Sequence, residues 1–226
     1  MQKREKTGID SLDKLIEGGF PKGSLIILAG SPGSGKTIAS SQFLYYGATH
    51  GEPSIYVSFG ERHDVYLDNM KQFGLDFGKL EEKGIFKFMD MVTTKNEAIP
   101  SILETVLEEA QNMKAKRLVV DSFSAMSLGF EKKIDARILL HLLDKIMRTL
   151  GCTTLMLIEI PTGHSELGMG FEEFVSDGII LFETFEVRSG ISKRSIIRKM
   201  RGTNHNQNYW NIVISDRGLS LVPYVS

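Results

Sequence analysis

Residues 25–37 read Leu25-Ile-Ile-Leu-Ala-Gly-Ser-Pro-Gly-Ser-Gly-Lys-Thr37, a short apolar run followed by a glycine-rich turn. The apolar run has the length of a buried strand, and the segment after Thr37 has the pattern of a helix. A glycine, four residues and then Gly-Lys-Thr is the spacing of a P-loop, in which backbone amides and the positive end of a helix bind phosphate. A plain glycine-rich turn would need neither the Lys-Thr pair nor both flanking elements.

This turn therefore predicts a nucleotide site that uses Mg²⁺. Lys36 is expected to reach the β- and γ-phosphates of ATP, and Thr37 to offer its hydroxyl to the metal ion. Asp121 ends the apolar run Arg117–Asp121, so it is the predicted outer metal ligand, unless it only caps the following turn. The predicted nucleotide-binding residues of the loop are Gly30, Ser31, Pro32, Gly33, Ser34, Gly35, Lys36 and Thr37.

Outside the turn, short β-rich runs alternate with segments of helical period, which is typical of an α/β fold with a mostly parallel sheet flanked by helices. No linker divides the chain, so residues 1–226 are predicted to form a single domain. The predicted strands are Leu25–Ala29, Ile55–Phe59, Ile85–Met89, Arg117–Asp121 and Thr153–Ile158, with a hairpin-like tail of Ile179–Phe185, Ser195–Met200 and Trp210–Ile214.

Two predicted helices carry apolar residues at three-four spacing, which favours core-facing stripes over cofactor sites. We expect both stripes to be buried. The first comprises Ile99, Ile102, Leu103, Val106, Leu107 and Ala110, and the second Ile138, Leu139, Leu142, Leu143, Ile146 and Met147.

Composition excludes several other classes of protein. The chain has 27 Lys and Arg against 28 Asp and Glu and is 42% hydrophobic, unlike a disordered polyelectrolyte or a uniformly basic nucleic-acid coat. Cys152 is the only cysteine, so no intrachain disulfide forms, and the five histidines are too scattered for a zinc site. The apolar runs have strand length, so no membrane segment is predicted and we expect a cytoplasmic protein.

Several further motifs resemble the RecA superfamily of P-loop ATPases, and within it the single-domain KaiC-like proteins. The resemblance covers almost the whole chain and implies a RecA-like P-loop core with a C-terminal β-hairpin extension. The matching motifs are Thr7-Gly-Ile-Asp-Ser-Leu-Asp13, Gly18-Gly-Phe-Pro-Lys-Gly-Ser24, Phe73-Gly-Leu-Asp76, Glu172-Glu-Phe-Val-Ser-Asp177, Lys199-Met-Arg-Gly-Thr-Asn-His205 and Ile214-Ser-Asp-Arg-Gly218.

The resemblance implies a homo-oligomeric ring, usually a hexamer, in which ATP lies between subunits. It implies that Lys199 and Arg201 reach the γ-phosphate of a neighbour, where an arginine finger stabilises developing charge. It also places Thr203, His205 and Asp216 near the nucleotide. Alternate residues of a strand share a side, so Lys199 and Arg201 can address one phosphate. The alternative is an ordinary solvated basic strand.

The carboxylate that activates water has two candidates, Glu61 and Glu159. KaiC-like domains typically carry two successive glutamates where this chain has Gly60-Glu61. Glu61 is predicted to orient the attacking water, and general-base catalysis contributes roughly 10²- to 10⁴-fold. Since Gly60 replaces the first glutamate, we expect slow hydrolysis. Glu159 ranks second, and the alternative role of Glu61 is a turn residue that caps the next helix.

The leading prediction is therefore an ATPase whose nucleotide state controls assembly or partner binding. A RecA- or RadA-like DNA-binding recombination ATPase is disfavoured, because residues 159–186 contain seven acids and no Lys or Arg, whereas DNA-binding loops need positive charge. A nucleotide-gated interaction protein with negligible turnover remains open because of Gly60. Autophosphorylation is not predicted, because Glu173-Phe174 replaces the Ser-Thr acceptor pair and leaves only Ser176 nearby.

Overall fold

The computed structural model describes residues 3–91, 99–127, 132–161, 170, 172–188 and 190–224. Its strands are β1 Arg4–Glu5, β2 Phe20–Pro21, β3 Leu25–Gly30, β4 Ser54–Ser58, β5 Phe86–Asp90, β6 Arg117–Asp121, β7 Thr153–Glu159, β8 Gly178–Val187, β9 Gly190–Met200, β10 Trp210–Ser215 and β11 Gly218–Pro223. Its helices are α1 Asp10–Leu15, α2 Lys36–Thr49, α3 His63–Lys71, α4 Gly78–Glu82, α5 Ile99–Asn112, α6 Phe123–Ser127, α7 Lys133–Leu150 and α8 Glu172–Val175.

Nine of these strands form one sheet in the order β11-β10-β9-β8-β3-β7-β6-β4-β5. The strands from β8 to β5 in this order pair in parallel, whereas β9, β10 and β11 continue the sheet in antiparallel fashion. This topology confirms the predicted α/β fold with a mostly parallel sheet and C-terminal antiparallel strands. A separate small sheet pairs β1 with β2.

The C-terminal strands differ from the predicted tail in two respects. Strand β8 pairs in parallel with β3 on one side and antiparallel with β9 on the other, so it belongs to the core sheet as well as to the hairpin. Strand β11 is an additional strand that the sequence pattern did not indicate, because the run Gly218-Leu-Ser-Leu-Val-Pro223 is short and bounded by a glycine and a proline.

Both faces of the central sheet are covered by helices. Ile26 and Leu28 of β3 pack into a core with Phe43 of α2, whereas Ile27 on the opposite face packs into a core with Leu143 of α7. Because every residue of β3 is buried, the strand reads as a continuous apolar run rather than an alternating one. The loop that follows β3 is thus anchored on a strand inside the sheet.

The expected stripe on α7 is confirmed in part. Leu143 and Met147 lie in the core, with Leu139 and Ile146 packed against it, but two residues of the stripe do not. Ile138 and Leu142 are 60% and 49% exposed, whereas Leu140 and Leu143 are almost completely buried. Ala136, Leu140, Leu143 and Met147 face the sheet, since they recur at the spacing of one helix face. The sequence carries apolar residues on both sides of this helix, so spacing alone could not identify the inner side.

Candidate active site

The glycine-rich turn joins the carboxyl end of β3 to the amino end of α2. A Cβ on Gly30 would lie 2.1 Å from the carbonyl oxygen of Phe182 in β8, and Gly35 has a φ of 104°. A side chain would clash at the first position and be strained at the second, so this backbone depends on glycine. The first-turn amides of α2 have no carbonyl partner within the helix, which leaves them available to phosphate oxygens.

Lys36 folds back across this turn. Its Nζ donates hydrogen bonds to the carbonyl oxygens of Gly30 at 2.8 Å and Ser31 at 2.9 Å. The residue is only 7% exposed. Burial lowers the pKa of the ammonium group, while the negative charges of Asp121 and Glu159 act in the opposite direction. Because a phosphate oxygen is a charged acceptor, it can replace a neutral carbonyl as the partner of Lys36.

The two predicted metal ligands meet beside the turn. The hydroxyl of Thr37 donates to Oδ2 of Asp121 at 3.1 Å, and the buried Tyr56 hydroxyl donates to the same oxygen at 2.5 Å. Burial and the charge of Asp121 raise the pKa of Tyr56 well above its ordinary value, so this hydroxyl stays protonated. Both contacts direct the carboxylate across the sheet edge, which supports a ligand role over a role as a cap.

These oxygen donors fit Mg²⁺. The ion takes oxygen ligands and usually keeps one or two protein groups, with phosphate oxygens and water completing its coordination. Thr37 supplies a hydroxyl and Asp121 a carboxylate within hydrogen-bond distance of each other. When bound, Mg²⁺ would neutralise charge on the β- and γ-phosphate oxygens.

Glu61 lies just beyond β4, which neighbours β6 and its Asp121. The hydroxyl of Ser58 accepts from the amide of Glu61 at 2.9 Å and donates to its carbonyl at 2.8 Å, which fixes the turn. The carboxylate accepts from Asn69 Nδ2 at 2.9 Å. Since Asn69 lies well inside α3, this contact orients Glu61 rather than capping the start of that helix. Burial, with the charge of Asp121 adding to it, raises the pKa of Glu61, and Asn69 opposes this shift.

Glu159 ends β7, which lies between the P-loop strand β3 and the Asp121 strand β6. It pairs in register with Gly30, and its amide donates to the hydroxyl of Ser124 at 2.9 Å. Its exposed carboxylate is near enough for its charge to act on the pKa of Lys36. The structure thus brings both candidate base residues to the edge of the sheet that carries the loop.

Lys199 and Arg201 lie at the opposite edge of the sheet, meaning the side where the parallel strands begin, whereas the P-loop lies where they end. Lys199 pairs with Ile179, and the amide of Arg201 donates to the carbonyl of Asp177 at 2.8 Å. The amide of Asp177 in turn donates to Leu25 at the start of β3. The P-loop begins at the other end of β3, about 16 Å away at about 3.3 Å per residue. Neither side chain is therefore placed to reach the P-loop of its own chain.

Both basic side chains contact the segment around α8. Lys199 Nζ donates to the carbonyl oxygens of Glu173 at 2.6 Å and Ser176 at 2.5 Å. Arg201 donates to the carbonyl of Phe174 at 3.0 Å, and its side chain remains 55% exposed. Burial and the charge of Arg201 lower the pKa of Lys199. The two cations share one side, as alternation on a strand predicts.

The remaining predicted nucleotide contacts divide between the two edges. Thr203 and His205 follow Arg201, and Nδ1 of His205 lies 3.3 Å from the carbonyl of Thr203. Asp216 lies in the turn between β10 and β11, two residues after Ile214, which pairs with Leu219. A Cβ on Gly35 would lie 2.9 Å from a methyl group of Leu219, so Asp216 belongs on the side of its own P-loop.

The comparisons with known proteins agree with this fold. The model of the KaiC ATPase family matches residues 5–226. The chain belongs to the KaiC-like ATPase family. UPF0273 proteins of Pyrococcus horikoshii and Thermotoga maritima are each 33% identical over 99% of this chain and cover 95% and 97% of their own lengths. The crystal structure of a KaiC-like protein from Pyrococcus horikoshii has a TM-score of 0.88 and 34% identity, covering 99% of this chain and 100% of that one.

Family membership supports a nucleotide-binding ATPase with a RecA-type core, and it confirms the resemblance seen in the motifs. Along the described parts of the KaiC-like domain, no helix combines the length and apolar character needed to span a bilayer. Most of the loop before α8 and part of the loop before α7 lie outside the described residues. Ser176 is fully buried, which is unfavourable for a phosphate acceptor.

Sequence reasoning missed several side chains that hold the KaiC-like site together. Tyr56 looked like an ordinary core residue, although a buried hydroxyl needs a partner and so carried a signal. Asp177 accepts from the amide of Leu25 at 3.0 Å and from Arg148 at 2.6 Å, and lies 3.7 Å from Arg201. No spacing rule connects residues so distant in the chain, so these contacts required the fold.

Proposed function

We propose that this KaiC-like ATPase hydrolyses ATP with Mg²⁺ at the interfaces of a homo-oligomeric ring, a hexamer, and that hydrolysis is slow. Residues 1–226 act as a single domain, and nucleotide state controls assembly or the binding of a partner. The observation that carries this proposal is the separation of the two halves of the site. The P-loop and the Lys199–Arg201 pair lie at opposite edges of one sheet, about 16 Å apart at about 3.3 Å per residue.

One subunit supplies the nucleotide-binding half. The amides of residues 30–37 bind the phosphates, and Lys36 leaves its loop carbonyls to contact phosphate oxygens. Thr37 and Asp121 hold the metal ion, with Tyr56 orienting the carboxylate of Asp121 through its short hydrogen bond. In this arrangement every phosphate-binding group of the subunit comes from the loop edge of the sheet.

The neighbouring subunit supplies positive charge. Arg201 extends from its exposed position toward the γ-phosphate, with Lys199 beside it and Thr203 and His205 following in the chain. A guanidinium in this place stabilises the charge that spreads over the phosphoryl oxygens in the transition state. Since the finger and the loop of one chain point to different edges, each subunit completes one neighbour's site and receives a finger from another.

Glu61 is the residue that orients the attacking water. Its carboxylate is fixed by Asn69 and lies at the same edge as Asp121. Gly60 contributes no second carboxylate, which limits how strongly water is activated. The same observation supports the second candidate function, in which ATP is held rather than turned over and gates contact with a partner.

Phosphate release tests the proposal directly. Wild-type protein with ATP and Mg²⁺ should release phosphate, and Lys36→Ala should reduce the rate at least 10-fold because the lysine no longer contacts the phosphates. Malachite-green assays over hours measure slow turnover. Equal rates for the two proteins would reject the ATPase proposal. ATP that survives purification unhydrolysed, with no release by the wild type, would favour the nucleotide-gated alternative.

A further inference from the structure

Arg4 links the amino-terminal strand to the turn that follows the finger. Its Nη1 donates to the hydroxyl of Thr203 at 2.6 Å, and its Nη2 donates to the carbonyl of Gly202 at 3.1 Å. These residues are almost the whole chain apart in sequence. The turn itself is conformationally special, because Gly202 has a φ of 64°. The glycine turn directly after Arg201 is thus held by a residue almost 200 positions earlier in the chain.

The same guanidinium is anchored at the end of α1. Its remaining contacts are with the carbonyl oxygens of Ile16 at 3.5 Å and Gly19 at 3.4 Å and with the carboxylate of Glu17 at 2.8 Å. Ile16 is fully buried, so this side of the clamp is part of the core. A planar guanidinium carries five N–H donors spread over three nitrogens and suits two segments at once, whereas the three donors of a lysine ammonium share one nitrogen.

Thr203 connects Arg4 to the backbone of Arg201 through its hydroxyl. Its hydroxyl accepts from Arg4 and lies 3.4 Å from the carbonyl oxygen of Arg201, to which it donates. The Arg201 side chain is more than half exposed. Among the described residues it has one hydrogen bond, to the carbonyl of Phe174, and an ion pair with Asp177 at 3.7 Å. Since both partners lie in the segment before β8, the direction of the side chain also depends on where the backbone of the turn is held. Displacement of a catalytic group by about 1 Å can cost about 100-fold in rate.

We propose that Arg4 is a positioning residue for the finger, so that the amino-terminal strand of one subunit sets the rate of hydrolysis in its neighbour. This inference rests on the proposed function. Arg4→Ala should lower kcat by about 10- to 100-fold and lower kcat/KM equally, with KM for ATP within about threefold, because only the transition state loses a contact. Thr203→Val removes the acceptor on the turn and should act in the same direction.

Two conservative variants separate positioning from stability. Arg4→Lys keeps the positive charge but loses the planar guanidinium with its spread N–H donors, so its kcat should remain nearly as low as that of Arg4→Ala. Glu17→Gln is the matched control, because it weakens the α1 side of the clamp and leaves both bonds to the turn. It should keep kcat within about twofold of the wild type. A loss in Glu17→Gln as large as that in Arg4→Ala would overturn the positioning role.

Mixed rings provide the deciding experiment. Arg201→Ala subunits keep an intact P-loop, and Lys36→Ala subunits keep an intact Arg201. Mixing the two should restore phosphate release at interfaces where the P-loop of the first faces Arg201 of the second. Adding Arg4→Ala to the Lys36→Ala chain should abolish this recovery, whereas adding it to the Arg201→Ala chain should leave it intact. If Arg4→Ala does not fold, Thr203→Val takes its place in both chains.

The outcomes distinguish the two proposals. Recovery in the parent mixture with an equal loss in both Arg4→Ala mixtures, or with no loss in either, would overturn the positioning role alone. No recovery in the parent mixture, in chains that fold and assemble as the wild type does, would overturn the shared site and the positioning role with it.

Discussion

Gly60 stands where the resemblance to KaiC-like domains places the first of two successive glutamates. The position lies directly before Glu61, at the edge of the sheet that carries Asp121. A Cβ at Gly60 would meet no atom within 4 Å, and its φ is not in the left-handed region. The glycine is therefore required neither by packing nor by backbone conformation. A larger residue can occupy the position without strain.

Gly60→Glu should raise kcat for ATP hydrolysis at least 10-fold. The new carboxylate would lie at the edge where water is activated, and general-base groups contribute roughly 10²- to 10⁴-fold. Gly60→Gln is the matched control, since it has the same size and lacks the charge. Steady-state phosphate release measures both. Equal rates for the two variants, whether raised or unchanged, would contradict the prediction, because the charge of the new carboxylate would then have no effect on hydrolysis.

At the scale of elements, the strands and loops of the site were more predictable than the orientation of the helices. The run Arg117–Asp121 matches β6 at both ends, because a buried parallel strand is continuously apolar and its end is marked by a carboxylate. In α7, by contrast, the predicted stripe included the exposed Ile138 and Leu142 and omitted the buried Leu140. Only packing against the sheet selects the inner face, and that information lies in other segments of the chain.

Leu142 and Leu143 are adjacent leucines on different sides of α7, so replacing each one tests which side of the helix faces the sheet. Leu143 is 2% exposed and Leu142 is 49% exposed. Leu143→Ala should reduce the free energy of unfolding by about 2–5 kcal/mol, because it leaves a cavity under the helix. Leu142→Ala makes the same change in helix propensity and should cost less than about 1 kcal/mol. Urea denaturation of nucleotide-free protein compares them, and a reversed order would contradict the orientation of α7.

Across the whole molecule, a net charge near zero is the sum of segments with opposite charge. Residues 188–201 carry six basic side chains and no acid, whereas residues 159–186 carry seven acids and no base. Part of this opposition is satisfied within the chain, because Arg194 pairs with Glu183 at 2.8 Å. Arg201 retains its exposure and can serve a phosphate on another subunit. In the proposed ring, nucleotide is therefore part of the contact between subunits.

ATP with Mg²⁺ should therefore convert the protein to a larger species, with a mass near that of six chains by size-exclusion chromatography and light scattering. The γ-phosphate contributes to the contact, so ADP should support less of this species than ATP does. Lys36→Ala is the control for nucleotide binding and should respond weakly to either. Added salt should weaken the ATP-dependent step, because screening reduces attraction between the finger and the phosphates. A monomer with and without ATP would contradict a site shared between subunits, since Arg201 cannot reach the P-loop of its own chain.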